Sequence, residues 1–387
     1  MRVFNLYFSL IANFYTMKKS LVFLILLVFS VTVKAQNKKI NLLIGTYTQN
    51  CDSKGIYVYD FDTSNGDFIY KNATDKTVNP SFLTVSSQNN FVYSVNEFGK
   101  ESTISAFNYN ASSGAIQFLN KQSAMGADPC YIINDNKNVI VANYSGGSIS
   151  VLEKNSDGTL QKAKQVIQHY GKGLNPKRQE APHVHMVSFS PDKKFILAND
   201  MGNDRIYSYS YDPLLKTDVL QIKDSISVTA GSGPRHLTFS KNGKLVYVLQ
   251  ELSGMITVYS YKEGKLVKRD ETSILAGGFK GNFTAADIHF SPDGKFLYAT
   301  NRGDANTISI FEVNTNGTLQ LVEHVSTLGK GPRNFAIDPT GAFLLVAHQY
   351  SNDVIIFKRN KKTGTLSNTG KKIELCAPVC LVFTDNK

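Results

Sequence analysis

Two arginines, a glutamate and a histidine stand at matching places in a chain of 387 residues. They are Arg235 in Pro234-Arg235-His236, Arg302 in Asn301-Arg302, Glu251 in Gln250-Glu251, and His185 in Pro182-His183-Val184-His185. A guanidinium offers a planar fork of donors to an anion, and a carboxylate or imidazole moves protons. Around them lie His183, His236, Asn143, Asn301, Arg333 and His348, the candidates for substrate contact. Simpler readings exist for some. Asn143 and Asn301, like Asn96 and Asn199, can cap loops by bonding nearby backbone. His289 and His348 can be ordinary hydrogen-bonded residues, and Arg333 can clamp carbonyls between neighbouring elements.

Competing chemistries lack their motifs. The chain has no Gly-x-Ser-x-Gly elbow, no His-Glu-x-x-His helix and no Gly-x-x-x-x-Gly-Lys loop. Cys376 and Cys380 lack the spacing of a zinc site. His183 and His185 share a strand face and could grip a metal, but no carboxylate cluster accompanies them, so neither metal nor cofactor is expected.

The elements that position these residues repeat. One copy reads Gly233-Pro234-Arg235-His236-Leu237-Thr238-Phe239-Ser240, an Asn242-Gly243 turn, then Leu245-Val246-Tyr247-Val248. Its leading position recurs at Pro80, Pro129, Pro182, Pro234, Ala285, Pro332 and Pro378, a period of roughly 50 residues that marks a seven-bladed β-propeller with four antiparallel strands per blade. The last copy stops after one strand, while Asn41–Thr46 and Gly55–Tyr59 are strands without a leading copy. One C-terminal and three N-terminal strands should therefore share the last blade, closing the ring and hiding its edges. Within a blade, strands one and two form a hairpin. The start of one and the end of two then meet on a single face near the axis, where the seven copies converge. Arg235 and Glu251 should face that channel rather than the core, so replacing either should cost little stability.

Composition agrees with an all-β chain: 24 Phe, 19 Tyr and no Trp, which excludes propellers built on a Trp-Asp dipeptide. Of the formal charge of +11, +4 falls in residues 1–35, and the remaining +7 is scattered through turns such as Lys193-Lys194 and Lys361-Lys362. Without a basic run and interleaved aromatics, nucleic acid is not an expected partner, and the charge supports only a mild pull on anionic substrates.

Residues 1–35 read as a secretory signal, with translation starting at Met17. Lys18 and Lys19 precede the apolar run Leu21–Phe29, and Ala35-Gln36 offers a cleavage point. The run is too short for a comfortable span, so no stable membrane insertion is expected once it is removed. An uncleaved, cytoplasmic N-terminus is the alternative. The remaining 36–387 form one propeller domain in an oxidising compartment, by expectation the periplasm, where cysteines can pair. Cys51 and Cys376 fall at the same end of the shared blade and are candidates for a bridge, with Cys380 as the competitor for Cys376. Cys130 and Cys380 read as small buried hydrophobes.

Leu43-Ile44-Gly45-Thr46-Tyr47-Thr48, Asn79-Pro80-Ser81-Phe82-Leu83, Val141-Ala142-Asn143-Tyr144-Ser145-Gly146-Gly147, Pro182-His183-Val184-His185, Gly233-Pro234-Arg235-His236 and Gly331-Pro332-Arg333-Asn334 resemble the seven-bladed lactonase family. That family includes the propeller-type 6-phosphogluconolactonases and fungal carboxymuconate-lactonising enzymes. The resemblance covers essentially all of 40–385 and implies a metal-independent lactonase acting on a small anionic or sugar lactone. It implies catalytic roles for His185, Arg235, Glu251 and Arg302, with Glu251 or His185 as the base and the arginines holding an anionic group and the oxyanion. An exported protein would not meet a phosphorylated lactone made in the cytosol. The alternatives are a non-catalytic propeller binding a carbohydrate or protein, and a muconate-lactonising isomerase.

Overall fold

The computed structural model describes residues 39–49 and 51–386. The expected signal segment and its cleavage point lie outside the described residues. Twenty-eight strands form seven four-stranded antiparallel sheets. We number the blades by their innermost strands: Leu83–Val85 in blade 1, Pro129–Asn134 in 2, Val184–Phe189 in 3, Pro234–Phe239 in 4, Phe283–Phe290 in 5, Pro332–Ile337 in 6 and Pro378–Thr384 in 7. Blade 7 is shared as expected, with Pro378–Thr384 pairing with Lys39–Thr46. Each innermost strand touches those of both neighbours, so the ring is closed.

The apolar core is divided rather than central. Seven clusters of buried side chains each join two adjacent blades. Tyr247, Leu249 and Ile256 of blade 4, for example, pack on Ile288, Leu297 and Phe311 of blade 5. Because stability comes from blade-to-blade burial, the axis is free to carry polar groups. A recurrent tie fixes the spacing. Tyr93, Tyr247 and Tyr298 donate hydroxyl hydrogens to the carbonyls of Gly158, Gly317 and Gly364 in the next blade's outer hairpin. Those glycines have positive φ, and a Cβ on Gly158 would strike the Phe91 ring.

One irregularity at the channel mouth decides which side chains reach it. In blade 4 Pro234 pairs with Gln250 and His236 with Leu249, leaving Arg235 as an extra, bulged residue. The same shift sets off Cys130 in blade 2, His185 in blade 3 and Arg333 in blade 6. A bulge bends its strand and re-aims the extra side chain. In blade 3 the residue paired like Pro234 is Val184, opposite Asp200, not Pro182. The sequence register there was two residues early, and His185 rather than His183 is the counterpart of Arg235.

Candidate active site

A cavity of about 260 Å³ opens at this mouth. Its walls come from two rings and a loop. The bulge ring supplies Cys130, His185 and Arg333, the residues just past strand two supply Glu97, Tyr144 and Glu251, and Arg302 comes from within the second strand of blade 5, Phe296–Gly303. Arg178 enters from the connection 169–183, the longest between blades. Buried Gln179 anchors that loop by donating to the Met201 carbonyl and Asp204.

Glu251 is the electrostatic centre. It accepts from Arg178 at 2.5 Å and from Arg235 Nε at 2.8 Å, and Arg302 lies at 3.3 Å. Burial alone would raise its carboxyl, but Arg302, Arg235 and Arg178 outweigh that and hold it down at about 2. Arg235 is spent on this work. Besides Glu251, its guanidinium donates to the Ala286 carbonyl and to His236 Nε2, and the side chain is buried behind the cavity wall. His236 therefore keeps its hydrogen on Nδ1 for Asp287, 2.7 Å away. Burial, then Arg235, lowers His236 to about 4. Arg302 also donates to the Thr284 and Ala285 carbonyls.

Burial, followed by Arg235, His236 and Arg333, pushes His185 well below 6.5, so its imidazole is neutral at pH 7. Its Nε2 lies 4.0 Å from Glu251. Across the cavity Arg333 donates to the Tyr47 hydroxyl at 3.1 Å and lies over that ring. Arg333 was read as a possible clamp of backbone carbonyls; its hydrogen bond goes to Tyr47 instead.

Five expected contacts lie outside the cavity. Asn143 and Asn301 each precede a cavity-lining residue, Tyr144 and Arg302, by one position, and strand alternation turns them between the sheets. Asn143 bonds Ser148 and Ser150 in its own blade, and His348 pairs with Asp353. Asn301 is fully buried. His183 stacks on Tyr144, with both ring nitrogens taken by the Tyr144 carbonyl and Glu180, which leaves neither for a metal. His236 sits beneath the cavity, edge-on to Tyr131 and Phe82. Glu251 faces the cavity as expected, whereas Arg235 lies behind its wall; both are only 2 % exposed and paired with each other, which argues against cheap replacement.

Comparison with known proteins agrees with this architecture. The family model described as "Lactonase, 7-bladed beta-propeller" matches residues 41–383. A 6-phosphogluconolactonase of Formosa agariphila is 36 % identical, over 86 % of this chain and 96 % of its own. That of Bacillus subtilis is 34 % identical, over 88 % and 97 %. The structure of a periplasmic gluconolactonase from Pseudomonas aeruginosa superposes with a TM-score of 0.85 at 34 % identity, over 90 % of this chain and 100 % of that one. The chain belongs to the seven-bladed β-propeller lactonase family.

Proposed function

We propose that this protein hydrolyses a sugar lactone in the cavity at the channel mouth, without a metal. The observation carrying the reading is the convergence of guanidiniums on ionised Glu251 beside a neutral imidazole, in a member of this family. Water attacks the ring carbonyl as His185 takes its proton. Arg302, Arg178 and Arg333 face the cavity and stabilise the oxyanion. Glu251, held near 2, is a poor proton acceptor at neutral pH; with Arg235 behind it, it positions the donors.

The test is hydrolysis of glucono-δ-lactone above its spontaneous rate, with and without EDTA. The rate should be unchanged by the chelator. It should fall on acidification only well below pH 6.5, because the base works unprotonated and its pKa is depressed. Loss of activity in EDTA, or an acid limb at 6.5, contradicts the scheme.

We place the protein outside the cytoplasm. The signal-like pattern of Met17–Ala35, the Cys51–Cys376 disulfide and the periplasmic relative support this. An unphosphorylated lactone is then the fitting substrate. Protein recovered from a periplasmic fraction should begin at Gln36; intact Met17 on soluble cytosolic protein would reopen the phosphorylated alternative.

A further inference from the structure

Glu97 is the counterpart of Glu251. Ser94 pairs with Leu83 as Val248 pairs with Leu237, which sets the two glutamates at one height in blades 1 and 4, on opposite sides of the ring. Both line the cavity, yet their partners differ in kind. Glu251 is surrounded by guanidiniums, which only donate and so demand an anion. Glu97 is held by hydroxyls, Tyr47 at 3.0 and 3.1 Å and Ser81, which can donate or accept. Its carboxyl can therefore hold or release a proton without breaking its network. Burial raises it above 4.5 despite Arg333, Ser81 and Tyr47, with Asp128 raising it further. The nearby Cys130 thiol is pushed up by burial and, next, by the Glu97 carboxylate.

We propose that Glu97 is a catalytic residue, the proton donor to the lactone's ring oxygen. The proposal rests on the hydrolysis reading above. Water's oxygen bonds to the carbonyl carbon, its proton passes to His185, and the C=O electron pair moves onto oxygen beside the arginines. When that pair returns, the ring C–O bond breaks and Glu97 gives its proton to the departing alkoxide. Proton exchange through solvent then returns His185 to neutral and Glu97 to its acid. Lactone plus water has become the hydroxy acid.

The test uses Glu97→Gln and two lactones. Glucono-δ-lactone expels an alkoxide that needs a proton; dihydrocoumarin expels a phenoxide whose acid has a pKa of about 10 and needs little help. Glu97→Gln should lower kcat on gluconolactone about 10²–10⁴-fold. On dihydrocoumarin the loss should stay under about tenfold, since general acid catalysis has little to add there. The alkaline limb of the gluconolactone profile should vanish, since a general acid works only while protonated. Equal losses on both lactones, or an unaltered alkaline limb, overturn the assignment. If the parent protein hydrolyses neither lactone, the hydrolysis reading itself fails and this proposal goes with it.

Discussion

Arg302→Ala is expected to lower kcat for glucono-δ-lactone about 10²–10³-fold, the usual effect of removing one donor to a developing oxyanion. Arg302→Lys should not restore it, because an ammonium cannot hold Glu251 and the Thr284 and Ala285 carbonyls in one plane. Glu251→Gln should lose about 10²-fold by a different route, displacing the donors rather than deleting one. It should also be the less stable variant. Three guanidiniums would converge on an uncharged amide, and breaking a buried pair of this kind costs about 3–5 kcal/mol. The pH dependence separates the effects. Glu251 ionises at about 2 in the fold against an ordinary 4.5, so its contribution is complete above 4.5 and lost as pH falls towards 2. The Gln variant should lack that component of acid unfolding. Parental rates in both Arg302→Ala and Glu251→Gln would remove the arginine cluster from the mechanism.

The fold was legible because each blade repeats its turn chemistry and its apolar pattern, and because the incomplete copies at the two ends complement each other. The site was legible only where that repeat is regular. Pro234-Arg235 and Pro332-Arg333 carry their register openly. Pro182 imitates the leading proline two residues early, and pairing alone shows Val184 in its place. Asn143 was chosen one residue short of Tyr144, and Asn301 was added beside Arg302, which was itself chosen; one residue reverses the face of a strand, so of these four only Tyr144 and Arg302 line the cavity. Glu97 was visible at a strand-two end, but no neighbouring arginine drew attention to it; its partner Tyr47 comes from blade 7, far away in sequence. Arg178 belongs to no repeat, and the one hint was the unusual length of its connection.

Replacing Cys51 and Cys376 together by serine should lower the unfolding temperature by several degrees. The two are bonded, with Cα atoms 6.1 Å apart and a sequence separation of 325. For so long a loop the chain-entropy estimate is on the order of 5 kcal/mol, an upper figure because engineered and native bridges often deliver less. The loss should be local as well as global. Among the described residues blade 7 alone is assembled from both ends, and its joint is the pairing of Pro378–Thr384 with Lys39–Thr46. If that joint opens, two unpaired strand edges are exposed. Amide exchange along Lys39–Thr46 should therefore accelerate in the double variant while the blade 3 strands Phe195–Asp200 and Arg205–Tyr211 keep their protection. The effect reaches the cavity through Tyr47. Its backbone N–H is held by the Ala377 carbonyl at 3.0 Å, beside the bridge, and its hydroxyl links Arg333 to Glu97. A ring loosened at blade 7 should hydrolyse lactones more slowly even at temperatures where it remains folded. Unchanged exchange in Lys39–Thr46 would show instead that hydrogen bonds and the clusters on either side of blade 7 hold the closure alone.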